Sequence, residues 1–424
     1  MRFSRALRAA VGAAALSLAV SSAAQADDDD DDDDGPAADV VCDGCVGSDD
    51  IAAEAVTDRK IAPGAVGFGE LAPDVVEAID EGGALGPVTV TISCAAGDVL
   101  QAALDAVRPG QPTTIALRSG CDETVTVRKD DITIDGDPDG TGDPSILARI
   151  SAIRVEGAAR LVMRNLDLRG SGPETGFGLV ATQGSELRLS NSRVFGNDLG
   201  GIDIREGSTA IIETTTLDSN GLSSAVFGGG IRVTDGASAT IRGNTITTNF
   251  GDGILVSDGA FARIEGNTIE FNGRAASNFE GFGEAGIRVA AATVQANGNI
   301  NRNPLNINLI VEDGGVYRTG EVLNRGLPDN PLGFEEITAG AAGFAVIVNQ
   351  GGQAVLRQVD ITGNVGATYA SVLTVRGDEQ EPDLRQSTLV GDATAVFMSL
   401  IRLPDSVDFM GTCTARADSN CDTP

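Results

Sequence analysis

Apolar residues between Ile153 and Ile361 recur in a frame that neither a helical period nor simple alternation reproduces. With Ile241 as position i, they fall at i−10, i−8, i and i+5, with glycine at i−5 and asparagine at i+8. In that unit they are Ile231, Val233, Ile241, Ile246, Gly236 and Asn249. Ile202, Ile204, Ile212, Leu217, Gly207 and Asn220 precede it in the same frame, and Ile254, Val256, Ile264, Ile269, Gly259 and Asn272 follow. Leu179, Leu189, Val194 and Asn197 obey it, as do Val346, Leu356, Ile361 and Asn364. Ile153, Val155, Met163 and Leu168 keep it with the glycine moved to Gly157.

The i−10/i−8 pair is one side of a short strand, because side chains alternate across a strand. Glycine supplies the left-handed backbone of a tight corner, and i and i+5 bring two further faces to the same interior. Each unit hides its apolar row only by stacking on its neighbours, so the frame predicts a solenoid of three-sided rungs. Asn197, Asn220, Asn249 and Asn272 are expected to stack as an amide ladder serving corner backbone groups. The frame frays after Asn272, and residues 304–340 do not fit it. It returns at Val346, 92 residues after Ile254, which reads as four rungs of 23 with a decorated stretch between. Leu384 and Leu389 make a last, looser turn before a tail over 404–424.

Ahead of the coil, Asp98 to Val107 reads as an amphipathic helix, N-capped by Asp98 and buried through Val99, Leu100, Ala103 and Val107. Short strand-like runs follow at 114–117, 124–127 and 132–134, so the helix is placed as a plug on the open end of the coil. Residues 51–80 carry a five-residue period, Ile51, Val56, Ile61, Val66, Leu71 and Val76, which reads as a stalk or as an irregular spacer. A stalk would offer a route to oligomers. Residues 1–26 read as a signal peptide, with Arg2, Arg5 and Arg8 before the apolar run Ala9–Val20 and small residues ahead of Asp27. The chain is expected to be secreted or periplasmic, with no membrane span.

The repeat resembles the right-handed parallel β-helix superfamily over about residues 94–400, and Val162–Leu168 is similar to the strand of its pectate-lyase-like and carbohydrate-binding/sugar-hydrolase repeat members. The resemblance implies an all-β, right-handed parallel β-helix over 88–403 with an N-terminal capping helix. It implies polysaccharide chemistry only loosely, because fold does not fix function. Family signatures with a catalytic histidine are absent, and nothing transfers residue by residue.

Composition narrows the chemistry. There is no histidine, and only Lys60 and Lys129 are lysines, so histidine bases and histidine-ligated metals are excluded. The formal charge is −31, and eight of the acids form the run Asp27–Asp34 within a low-complexity stretch over 27–50. That run is a solvated leader or a collector of Ca²⁺. Nucleic acid is not an expected partner of so acidic a chain. Six cysteines form three local pairs, Cys42 with Cys45, Cys94 with Cys121, and Cys413 with Cys421, which suits bridges in an oxidising compartment. Cys42 and Cys45 also match a redox CxxC, although its usual βαβ setting is missing.

The i−9 column, Arg154, Val180, Asp203, Arg232, Leu255 and then Arg288, should face away from the core. Rungs stand about 4.8 Å apart, which sets Asp203 beside Arg232, with Arg205 on the same strand. Asp203 is the candidate calcium ligand, and Arg232, Arg205 and Arg288 are candidate bases of a lyase. The alternative is a surface charge ladder like Glu213, Arg242 and Glu265 on the next face. Three functions stay open: a non-catalytic surface, glycan-binding or structural module; a calcium-dependent polysaccharide lyase; and a trimeric fibre-type depolymerase. Polysaccharide or cell-surface glycan is the expected partner.

Overall fold

The computed structural model describes residues 86–140, 147–170, 176–221, 229–273, 284–303, 307–319, 335–339, 344–376, 387–404, 407–416 and 418–423. The leader over 1–26, the acidic stretch with Cys42 and Cys45, the pentad segment over 51–80 and Leu384 lie outside the described residues.

Each rung contains three short parallel strands. The rung of Ile241 has Ile231–Val233 on a first face, Ser238–Arg242 on a second and Thr245–Thr247 on a third. Stacking keeps like residues in register: Ile202, Ile231 and Ile254 on the first face, Ile212, Ile241 and Ile264 on the second, and Leu217, Ile246 and Ile269 on the third. All nine are buried in one continuous core. Among the described residues the second face is a 14-stranded sheet. The other two join into a 22-stranded sheet, because strand Ala148–Glu156 turns the corner unbroken and pairs on both. Residues 88–422, as described, fold as a right-handed parallel β-helix.

The amide ladder stands as read. Asn197 donates its Nδ2 to Asn220 Oδ1 at 2.9 Å, Asn220 to Asn249 at 2.9 Å, and Asn249 to Asn272 at 2.8 Å. Each oxygen also accepts a backbone N–H from the rung before, as from Asn220 N to Asn249 Oδ1. A second ladder, Asn244, Asn267 and Asn299, runs up the corner between the second and third faces. The recurring Gly243-Asn244-Thr245-Ile246 and Gly266-Asn267-Thr268-Ile269 carry its signal in the sequence. The ladders leave almost no room on the first face. At the residue before each leading isoleucine, an added Cβ would stand 3.1 Å from Asn249 Nδ2 at Gly230 and 3.0 Å from Asn272 Nδ2 at Gly253.

Two expectations change. Val346 lies three rungs beyond Ile254, not four, because Ile254 pairs with Ile287, Ile287 with Leu309, and Leu309 with Val346. The extra length sits in corner connections, so Ile307–Glu312, Val316–Thr319 and Glu335–Thr338 are in-register strands inside the stretch that breaks the frame. The helix, α1 (Leu100–Ala106), is not capped by Asp98, whose Oδ2 instead accepts Ser93 N. Its first amides go to Glu123 on the neighbouring strand, at 2.9 Å from Leu100 N and 3.3 Å from Gln101 N. It buries Leu100 and Leu104, while Val99 is exposed. No described helix is long and apolar enough to cross a membrane.

Cys94 and Cys121 are bridged beside α1, and Cys413 and Cys421 are bridged at the far end. Cys413 pairs in register with Ala393 and Cys421 with Ile401, both buried inward positions, so the second bridge spans the interior of the last rung. No described cysteine is free.

Two substitutions test this packing. Ile241→Asp puts an unpaired charge on the stack axis and should abolish cooperative unfolding, whereas Arg242→Ala, next along the chain but half-exposed, should cost under about 1 kcal/mol. Gly253→Ala places a methyl 2.6 Å from Gly286 O and 2.9 Å from Ile269 Cγ2, and should destabilise by about 1–3 kcal/mol. Chemical denaturation reads both. Equal losses for Ile241→Asp and Arg242→Ala would reverse the inward and outward assignment.

Candidate binding face

The outward side of the first face is built by the register that buries its isoleucines. Arg154, Val180, Asp203, Arg232, Leu255 and Arg288 follow one another up the column as read, continued by Ile310 and Ile347. The expectation that this column is an exposed ladder fails at its centre. Asp203 is only 1% exposed, although it points away from the core. Arg232 holds it with two parallel bonds, Nε to Oδ1 and an Nη to Oδ2, both 2.7 Å. The Arg232 guanidinium also lies 5.1 Å from the centre of the Phe177 ring, and Arg205 Nε stands 3.6 Å from Asp203 Oδ2. Asp203, Arg232 and Arg205 therefore meet as expected, around a desolvated Asp203 carboxylate. The exposed ladder is on the second face, where Glu213 lies between half-exposed Arg188 and Arg242. Burial works against the Glu213 charge, but the two arginines outweigh it and hold its carboxyl below the usual range.

Arg288 does not join that group, because Leu255 separates it from Arg232. It belongs to a second cluster, donating to Asp252 at 2.9 Å and to Glu312 at 2.7 Å. Glu284 completes this cluster, with neither carboxylate oxygen accessible or hydrogen-bonded. Burial, reinforced by the Asp252 charge against the pull of Arg288, pushes its carboxyl up to about 7. Sequence reasoning missed all three acids. Asp252 stands two residues before Ile254, so the register could have placed it, but Glu284 follows a stretch with no repeat to index it.

This arrangement limits the chemistry. Burial disfavours the charge on Arg232 and on Arg288, but their carboxylate partners more than compensate and raise both above the ordinary arginine range. Neither can take up a proton, which is what a lyase base must do. A calcium ion at Asp203 would have to displace a bidentate guanidinium, so these residues do not fit one. Near Cys94 and Cys121, Glu123 completes a possible metal trio, but both sulfurs are in the disulfide.

Between residues 186 and 312 connection lengths single out one edge of the first face, whereas outside that stretch the corner from the second face to the third also lengthens, at 136–147, 320–334 and 377–386. Corners from the first face to the second stay short throughout, as at 205–208, 234–237, 258–260 and 291–292. Connections arriving from the third face vary: 196–199, 219–230, 248–253, 271–284 and 303–306.

The family described as a right handed beta helix region matches residues 151–320. Among solved structures, an alginate lyase from Paenibacillus sp. str. FPU-7 is 15% identical, with 78% of this chain and 99% of the lyase covered and a TM-score of 0.44. Pectate lyase Pel9A is 11% identical, with 80% of this chain and 78% of its own covered, TM-score 0.36. The A-module of the mannuronan C-5 epimerase AlgE6 from Azotobacter vinelandii is 12% identical, with 77% and 94% covered, TM-score 0.26. No curated protein matches the chain. None of these likenesses bears on chemistry.

Asp203→Ala leaves Arg232 buried without its counterion and should cost about 3–5 kcal/mol, whereas Asp203→Leu combined with Arg232→Met should restore most of that loss. A double-mutant cycle by denaturation measures the coupling. Additive losses would mean that the pair is solvated in solution.

Proposed function

We propose that this protein is an exported, non-catalytic β-helix module that binds polysaccharide through the connections along one edge of its first face. The observation that carries the reading is the uneven distribution of connection lengths. In a solenoid, per-repeat insertions gather on the surface that is free to vary, commonly the binding one. Between residues 186 and 312 they gather along one edge of the first face. By sequence, those connections include Phe227, Phe250, Phe271, Phe279 and Phe282, in a chain with no tryptophan. Phenylalanine supplies an apolar ring face on which a sugar can stack. A formal charge of −31 disfavours polyanionic chains, so the ligand class is a neutral glycan. The two described disulfides suit an oxidising compartment. The non-catalytic assignment follows from Arg232 and Arg288, both tied to carboxylates.

One observation favours a second reading. Burial raises the Glu284 carboxyl to about 7 beside the Asp252 side chain, and a carboxyl that keeps its proton near neutrality next to a second carboxyl is the arrangement of a general acid in glycan cleavage.

The discriminating experiment exposes the mature protein to a glycan array and then to pectate, alginate and neutral polysaccharides, with and without Ca²⁺. Retention on neutral glycans, without new reducing ends and without the ultraviolet absorbance of unsaturated uronates, is expected. A calcium-dependent rise in that absorbance, lost in a folded Arg232→Ala variant, would replace the proposal with a lyase. New reducing ends abolished by Glu284→Gln would replace it with the acid–base enzyme. Retention on no glycan at all would remove the binding assignment.

A further inference from the structure

The second amide ladder ends on a carboxyl group. Asn244 passes to Asn267 and Asn267 to Asn299, but the next member is Glu335, completely enclosed in the core. Its Oε2 accepts Asn299 N at 3.0 Å and Asn299 Nδ2 at 3.1 Å, and its Oε1 shares a 2.8 Å bond with the hydroxyl of the equally buried Tyr317. An amide fits this position whatever the pH, but a carboxyl does so at a cost that depends on its proton.

Among the described residues, the surroundings contain no cation to offset an ionised Glu335. On its own strand Glu336 points outward and is held by Arg302 of the preceding strand. On the second face Arg318 and Arg357 are exposed, and on the following strand Asp360 lies on the outward side. Tyr317 is the one titratable group that touches the carboxyl among the described residues. We propose that Glu335 is a proton-operated lock, keeping the rungs of Asn299, Tyr317 and Glu335 tightly packed in a mildly acidic medium and loosening them as the medium becomes neutral to alkaline. In the protonated state the carboxyl O–H donates to Tyr317 Oη, and the group enters the ladder as a neutral member. In the ionised state a full charge is enclosed with three hydrogen-bond donors and no counterion among the described residues.

Burial sets the direction, raising the carboxyl to about 7 against the opposing pull of its hydrogen bonds. The folded state then holds the proton more tightly than the unfolded chain. Stability from this group is fully present below the unfolded value of 4.5 and declines as pH rises through about 7. The full swing corresponds to about 300-fold in the folding equilibrium. Glu284 and Asp167 are also raised and add declines of the same sign, so the comparison must be between variants.

The test measures the melting temperature of the intact protein and of Glu335→Gln from pH 4.5 to 8.5. The glutamine amide continues the ladder, so its curve should be flatter and should cross above the wild type near pH 7. Infrared spectra at pH 5.5 should lose one protonated-carboxyl band in Glu335→Gln. Parallel melting curves, or an unchanged band, overturn the proposal. If Glu335→Gln does not fold, Tyr317→Phe serves instead. Removing the hydroxyl withdraws a bond that favours the ionised form, so the pH midpoint should move upward, and an unmoved midpoint overturns the proposal equally.

Discussion

Each corner of this protein is completed by the rung that follows it. The backbone N–H of Asn220 has turned out of its strand and finds its acceptor in Asn249 Oδ1, one rung on, and Asn249 N finds Asn272 Oδ1 in the same way. A buried amide without a partner costs about 1–3 kcal/mol, so no rung is stable with its neighbour missing. The same requirement explains the glycines at 230 and 253, where a methyl group would press against the ladder amides. Sequence, corner geometry and core spacing are thus one constraint. Stability follows the nearest-neighbour logic of a solenoid, in which the ends are the weak points. Here one end carries α1 with its disulfide, and the other a bridge across the last interior.

The ladder also explains where the chain can vary. Asn220 and Asn272 hold the backbone immediately before the long connections, and Gly230-Ile231 and Gly286-Ile287 take up the register immediately after them. A connection fixed at both ends can lengthen with little penalty to the core, because loop-closure cost grows only slowly with length. The corner between second and third faces has its own asparagines immediately before the next strand, and from Glu213 to Ile300, where Asn244, Asn267 and Asn299 hold it, it does not lengthen. Tolerance of insertion is therefore a local property of the hydrogen bonding, and between residues 186 and 312 it places variability beside the first face.

How far the sequence revealed this depended on whether a feature repeats. The inward rows, the corner glycines and the first ladder repeat at fixed offsets and were legible from Leu179 to Asn272. The rung count beyond Ile254 was not, because dividing 92 residues by a constant length assumes that the connections are constant. Asp98 has the right residue type and place for a cap, yet Glu123 performs the task from 23 residues away through a contact that only the coil creates. The pairing of Asp203 with Arg232 followed from register alone. Its burial did not, since alternation separates inward from outward and says nothing about what covers the outward side. Glu284 and Glu335 were missed for the same reason. Each owes its proton affinity to enclosure, and Glu335 occupies a ladder position that the composition of other rungs would assign to asparagine.

Enclosure also separates the two ends of the first face. Toward the N-terminal rungs its outward column carries Asp203 and Arg232, while farther along the same positions are Ile310 and Ile347, buried and apolar. Apolar residues alone would therefore satisfy the column, and a desolvated ion pair is not the more stabilising choice. What the pair adds is direction. Arg232 reaches Asp203 on the preceding rung with both arms and lies against Phe177 on the rung before that, so one side chain aligns three rungs at a fixed lateral register. Isoleucines packed in a column resist separation but allow sliding and rotation more readily than a planar fork does. The first face is accordingly held in the most fixed lateral register at Asp203 and Arg232, where three rungs meet on one guanidinium.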